Sequence, residues 1–279
     1  MKHLSILFAV ALIFTVLPSC KKKGCMDPTA ENYNAAAEKD DGSCTYATEA
    51  TVTLKFSQNI NGSSISAADF DQLNYTTPEG NTYSVTKMQY LISDVRLYKA
   101  NGDSVMVDGY HLVDMSDTTT LTYELPEVVR IAPYVGIGFT FGFDAEDNIS
   151  GQYADLNALS WSSPEELGGG YHQMKFEGRY IDDITDTIGF QYHSLSKIRK
   201  TTPDTTFHDN YVNVNLTKSL DITGNTTVEI KMDIQEWFEN PNLWDLDVYY
   251  AALMSDYNAQ VMMRQNAATV FSVGTVTIE

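Results

Sequence analysis

The stretch Val135-Gly136-Ile137-Gly138-Phe139-Thr140-Phe141-Gly142-Phe143 decides the fold class. Apolar side chains fall at every second position, the period of a strand, whose successive side chains point to opposite faces of a sheet. A helix would need them three and four residues apart. The intervening positions hold Gly136, Gly138 and Gly142, which leaves room on that side for another backbone or a large aromatic.

Outward from that run the same period recurs. Val52, Leu54 and Phe56 alternate with Thr53, Lys55 and Ser57, and Val228, Ile230, Met232 and Ile234 form a further run. Leu91, Val95 and Leu97 are expected to share a face. Asn101-Gly102 marks a tight hairpin into Val105, Val107 and a strand near His111-Leu112-Val113. Only residues 67–73, 235–238 and 256–268 read as helical, and only briefly. Many short strands with few helices imply an all-β chain, an antiparallel β-sandwich with a few short helices. Residues 50–279 read as one main domain, and with 43% hydrophobic residues the chain is ample for a sizeable core.

The start of the chain points to export. Lys2 precedes an apolar run over residues 4–17, the length of a signal-peptide hydrophobic region and too short to span a bilayer comfortably. The run ends at Leu17-Pro18-Ser19-Cys20, which resembles a lipobox, with Pro18 departing from its commonest form. The expectation is a signal peptide over 1–19 and a lipid-modified Cys20 holding the protein to the membrane. Two acyl chains buried at about 0.8 kcal/mol per CH₂ give stable anchoring without a transmembrane helix. Lys21, Lys22 and Lys23 beside the anchor suit anionic headgroups. The implied location is the cell envelope, with the outer membrane expected and the chain facing either the periplasm or the cell surface.

If Cys20 carries lipid, Cys25 and Cys44 are left as an even pair in an oxidising compartment. The formal charge of −19 moves to near −20 once Lys2 is removed with the signal. That balance argues against a nucleic-acid partner, which needs a basic stripe; it suits a solvated or cation-binding surface.

Residues 24–46 read as a separate small module. Gly24-Cys25-Met26-Asp27-Pro28-Thr29-Ala30-Glu31-Asn32-Tyr33-Asn34, then Asp40-Asp41-Gly42-Ser43-Cys44, resembles a short motif found near the ends of many envelope and secreted proteins of gram-negative bacteria. A Cys25–Cys44 bridge would supply roughly 3 kcal/mol to a stretch with almost no core. Asp27, Asp40 and Asp41 offer oxygens that suit calcium, but their spacing is not that of an EF-hand, so they read as a solvated turn. The division is therefore 1–19 signal, 20–49 anchor and disulfide-closed module, 50–279 sandwich.

Chemistry concentrates in residues 161–193. Trp161 begins a polar loop ending in Gly168-Gly169-Gly170. A strand follows, Tyr171-His172-Gln173-Met174-Lys175-Phe176-Glu177-Gly178-Arg179-Tyr180, then an acidic turn and Ile188-Gly189-Phe190-Gln191-Tyr192-His193. Alternation puts His172 with Met174 and Phe176 on the inward face, and Lys175, Glu177 and Arg179 toward solvent. A histidine on an apolar face is more often a hydrogen-bonded core residue than a ligand. His111, at a strand end, reads as structural, and His208 as exposed. No nucleophile elbow, His-Glu-x-x-His or phosphate loop is present, no cysteine is left over, and the carboxylates scatter through loops, so no enzyme activity is expected.

Across 50–279 the pattern resembles the methanobactin-associated periplasmic copper-binding (MbnP-like) domain. The matching segments include Val52 to Phe56, Tyr83-Ser84-Val85-Thr86-Lys87-Met88-Gln89-Tyr90, Gly138 to Asp144, Trp161, Gly170 to Gly178, Tyr192-His193, and Asn266-Ala267-Ala268-Thr269-Val270-Phe271, in family order. The resemblance implies a β-sandwich and a copper site of imidazoles and a tryptophan-derived ligand. Carried over, Trp161 is the family tryptophan and His193 the later histidine. Copper-binding members place a histidine two positions after the tryptophan; here that residue is Ser163, so His172 would substitute. In a regular hairpin His193 points away from His172, and a bulge, or a His193 past the strand end, would be needed to bring them together. The expected metal residues are His172, His193 and Trp161, with copper as the metal and Met174 and Phe176 as a water-excluding wall. The alternative is a non-catalytic sandwich that presents its loops to an envelope protein partner and holds no metal.

Overall fold

The computed structural model describes residues 21–28 and 30–279. The expected signal peptide and the lipid-accepting Cys20 lie outside the described residues. The chain divides into two compact units between Thr48 and Glu49. No helix among the described residues is long and apolar enough to cross a membrane.

The N-terminal unit is closed by a Cys25–Cys44 disulfide. Its backbone groups pair locally: Asn34 N–H donates to the Cys25 carbonyl, and Glu31 N–H to that of Thr45. The Asn32 side chain bridges Ser43 and Thr45. The Asp40 and Asp41 carboxylates accept from the backbone of their own turn, at Gly42 and Ser43. These turn contacts pair several of the module's polar groups, and the bridge closes a stretch with little core.

The second unit is a sandwich of two sheets. One has seven strands in the order Thr187–Leu195, His172–Ile181, Thr82–Tyr98, Ala132–Phe141, Val212–Ile222, with Tyr75–Thr76 and Ser104–Asp114 also paired to the long Thr82–Tyr98 strand. The other has five: Phe271–Ile278, Thr226–Asp233, Val52–Ile60, Ser63–Ile65, with Thr122–Glu124 on Val52–Ile60. All pairs are antiparallel except Val52–Ile60 with Thr226–Asp233, which run parallel across more than half the chain. The helical expectations shrink to a short 3₁₀ turn Ala67–Asp69, a second at Ile234–Phe238 and an α-helix Tyr257–Asn266.

The core lies between the sheets. Val52, Leu54 and Phe56 meet Met88, Tyr90, Ile92, Ile137, Phe139, Phe141, Met174 and Phe176 there. A smaller cluster of Leu91, Phe143, Leu156, Trp161 and Tyr171 forms separately from that core. The two clusters show that the seven-stranded sheet is covered on both faces.

This second cluster corrects one expectation. Leu91 does not share a face with Val95 and Leu97. The pairing slips between Ser93 and Val95, with Asp94 at φ 50°, so parity inverts at that bulge. Met88, Tyr90 and Ile92 face the core before it, Val95 and Leu97 after it.

Close approach at glycine is as anticipated. A Cβ on Gly138 would lie 2.4 Å from the Val214 carbonyl oxygen and 2.8 Å from the Tyr98 hydroxyl. At Gly178 it would lie 2.0 Å from the Ser84 carbonyl oxygen and 2.5 Å from the Phe190 ring. Backbone cannot yield there. Gly178→Ala should therefore cost about 3 kcal/mol, lowering Tm by about 10 °C in a domain of this size. Across the hairpin a Cβ on Gly189 meets nothing nearer than 3.8 Å. Gly189→Ala should lose under ~1 kcal/mol, and thermal melts of the two variants compare them directly.

Candidate metal centre

Three glycines in left-handed conformation, Gly168, Gly169 and Gly170 (φ 108°, 66° and 72°), reverse the chain so that Trp161–Ser163 returns against Gly170–His172. The two ends of this ribbon lock reciprocally. His172 N–H donates to the Trp161 carbonyl at 3.0 Å, and the Trp161 indole N–H donates to the His172 carbonyl at 2.8 Å. The same Trp161 carbonyl accepts a second hydrogen bond from His172 Nδ1 at 2.8 Å.

The placement of His172 departs from strict alternation. Pairing between His172–Ile181 and Thr187–Leu195 is regular from Met174 onward, with Phe176 opposite Tyr192 and Lys175 opposite His193, but slips between His172 and Met174. Gln173 is the extra residue. Both Gln173 and Met174 are fully buried, and His172 is turned off the Met174 face. Its ring lies edge-on to that of His193, centroids 5.7 Å apart, and 5.9 Å from the Trp161 ring. The bulge required to unite the two histidines is present. The expected wall of Met174 and Phe176 is not: those side chains belong to the inter-sheet core.

Polar contacts hold the bulge in place. Gln173 donates to the carbonyls of Asn210, at 2.7 Å, and Phe141, and accepts from the Ser194 hydroxyl. Gly142, at φ 86°, makes way for it; a Cβ there would sit 2.5 Å from Gln173 Cγ. His193 stands on an edge strand whose backbone is pinned from outside: Gln260 donates to the His193 carbonyl and accepts from Leu195 N–H.

Around the imidazoles lies a chain of charges. His193 Nε2 is 3.0 Å from Glu177 Oε1, which also takes the Lys87 ammonium at 2.9 Å. Lys175 sets its ammonium 4.8 Å from the centre of the Trp161 ring and donates to the Ser160 carbonyl. Hydrogen bonds from His193 and Lys87 hold the Glu177 carboxyl at about 2 despite its partial burial. Burial pushes His172 down to about 3, with the Trp161 carbonyl opposing the fall and the neighbouring Lys175 and His193 adding to it. His172 is thus a neutral imidazole whose free nitrogen is Nε2.

The structure brings His172, His193 and Trp161 together. Ser163 is buried, and its hydroxyl has no hydrogen-bond partner. His111 is elsewhere, sandwiched between Phe56 and Tyr123 and bonded to the Thr120 carbonyl; His208 is exposed and bonded to Thr206. Among the described residues no three His, Cys, Asp or Glu side chains converge as a ready metal cage. The sequence reading missed Glu177 as a partner, having sent it to solvent. Lys175 opposite His193 in register was the signal, since Glu177 is then the diagonal neighbour.

The MbnP family model matches residues 49–263 of this chain. Among solved structures, MbnP from Methylosinus trichosporium aligns with 14% sequence identity and a TM-score of 0.54, covering 82% of this chain and 99% of that one. At that identity the likeness is one of fold. No curated protein matches.

The neutral His172 has a consequence for stability. Unfolded, a histidine takes its proton near pH 6.5; folded, His172 refuses it until about 3. Its contribution is complete above pH 6.5 and is lost as pH falls, by up to about 1.4 kcal/mol per pH unit. His111, also pushed down by burial, acts with the same sign, whereas Glu177 matters only below the ordinary carboxylate range. Tm should therefore fall between pH 6.5 and 5, and more shallowly in His172→Gln. Equal slopes in wild type and variant would mean that His172 is not held neutral.

Proposed function

We propose that this chain, which belongs to the MbnP family, is an envelope lipoprotein that binds copper through His172 and His193, with Trp161 lining the site. The supporting observation is the bulge at Gln173, which turns His172 onto the side of His193. Metal–nitrogen bonds of about 2 Å put the centroids of two imidazoles sharing one ion about 5–6 Å apart, so the spacing of 5.7 Å fits. The donor set also fits. Neutral imidazoles suit copper, and His172 needs no deprotonation to bind at neutral pH. Bound copper would be cargo here: the chain holds it or hands it on, and performs no catalysis.

The residues divide the labour. His172 is pre-oriented by its bond to the Trp161 carbonyl, so little rotamer freedom is lost on binding. Trp161 closes one side, with its apolar neighbours Leu91, Phe143, Leu156 and Tyr171 behind it, and lowers the polarity around the imidazole. The carboxylate of Glu177 offsets the ammonium groups of Lys87 and Lys175, which would otherwise repel a cation.

Anaerobic Cu(I) competition titration tests the reading. His172→Ala and His193→Ala should each weaken binding by orders of magnitude, and Trp161→Phe modestly. Unchanged affinity in either histidine variant removes that residue from the site. A wild type that fails to compete with a weak chelator leaves a non-metal sandwich, with His172 pinned to Trp161 and His193 to Glu177 as structural contacts. The anchor is tested separately. Cys20→Ala should move the protein to the soluble envelope fraction and abolish incorporation of labelled acyl chains; a wild type that takes up no label is not a lipoprotein.

A further inference from the structure

We infer that Glu177 is the positioning residue of this centre, fixing His193 with its proton on Nε2 so that Nδ1 is the nitrogen presented to a metal, while His172 presents Nε2. The inference rests on the copper reading and adds to it which atoms bind and what orients them.

The argument is one of donors and acceptors. A histidine's tautomer follows from what its nitrogens bond to. His172 Nδ1 faces the Trp161 carbonyl, which can only accept, so the proton is on Nδ1 and the lone pair on Nε2. His193 Nε2 faces Glu177 Oε1 at 3.0 Å. An ionised carboxylate can only accept, so the shared proton belongs to Nε2. A carboxyl is ionised at neutral pH, and the Lys87 ammonium 2.9 Å from the same oxygen adds to that without being required for it. The two imidazoles are therefore fixed in opposite senses, one by a backbone carbonyl and one by a carboxylate. No other hydrogen bond engages His172 Nε2 or His193 Nδ1 among the described residues.

The strand register explains why Glu177 can do this. Lys175 is directly opposite His193, and Glu177 is two residues along on the same face, within the diagonal reach of a long side chain. The contact joins adjacent strands near the sheet edge, so it orients the ring without tying it to a loop. A carboxylate behind a ligating histidine also raises the ligand's basicity, and removing such a partner costs a metal site about 10–100-fold in affinity.

The test begins with the metal-free protein. Long-range ¹H–¹⁵N correlation on ¹⁵N-histidine-labelled wild type should show His172 protonated on Nδ1 and His193 on Nε2. Glu177→Gln keeps the size of the side chain but offers both a donor and an acceptor, so His193 should become a mixture of tautomers while His172 is unchanged. In the same variant Cu(I) affinity should drop about 10–100-fold, with Tm close to wild type because the lost pair is partly exposed. Lys87→Met, which leaves Glu177 in place, should retain the His193 tautomer. Finding His193 protonated on Nδ1 in the wild type, or finding tautomer and affinity unmoved in Glu177→Gln, overturns the inference. If copper binding and its dependence on both histidines hold while the tautomers differ, only the inference falls. If the wild type binds no Cu(I), the copper reading falls, and the role of Glu177 as a metal-positioning residue falls with it.

Discussion

A strand has two faces, and which one a side chain takes depends only on whether it is an odd or even number of residues from its neighbours. Everything in this sandwich hangs on that parity. Between its register shifts the seven-stranded sheet keeps it: Met88, Tyr90 and Ile92, then Ile137, Phe139 and Phe141, then Met174 and Phe176 each arrive at the inter-sheet core in step. Burying such side chains is worth about 1.5–3 kcal/mol each, so a strand that slipped by one residue would forfeit its whole set at once. The other face is set by the same rule, and it is there that Leu91, Trp161 and the histidine pair reside.

Among the register shifts of this sheet, two share a neighbour. The bulge at Ser93–Asp94 in the long strand and the bulge at Gln173 both abut Gly142, just past the end of the Ala132–Phe141 strand. The Ser93 hydroxyl donates to the Gly142 carbonyl, and Gln173 Cγ occupies the space that a Gly142 side chain would need. Each bulge has a polar side chain beside it with hydrogen-bond partners nearby. Gln173 reaches Asn210, Phe141 and Ser194, while Arg96 reaches the Asp94 carbonyl and Thr140. The irregularities are therefore built in and hydrogen-bonded, at the corner of the sheet where the second cluster begins.

What could be read from the sequence follows from the range of each signal. Alternation is local and holds from Ile137 to Phe141, but Val135 is exposed and Phe143 lies in the second cluster; the Asn101-Gly102 turn is local too and appears where expected, with Gly102 at φ 90°. The glycine face also read correctly, with Tyr98 and the Val214 backbone filling it. Leu91 and His172 were assigned to the wrong faces for one reason: a bulge at a non-glycine residue leaves no mark in composition or period. Gln173 held a clue, since an uncharged polar residue fully buried in a strand needs several partners, but those partners come from three other segments. The parallel pairing of Val52–Ile60 with Thr226–Asp233 was equally out of reach, because it joins strands about 170 residues apart. Of the site, residue types and neighbourhood were legible; the bond from Glu177 to His193 required the register.

The Gln173 bulge has a consequence for how such a chain can change. Met174 to Tyr180 keep their partners whatever precedes them, because the hairpin is in register from Met174 to its turn. Regular pairing through Gln173, with no bulge, would put His172 on the side of Met174 and part the two imidazoles, while the residues from Met174 onward kept their partners. The scaffold and the imidazole pair are thus joined by a hinge one amino acid wide.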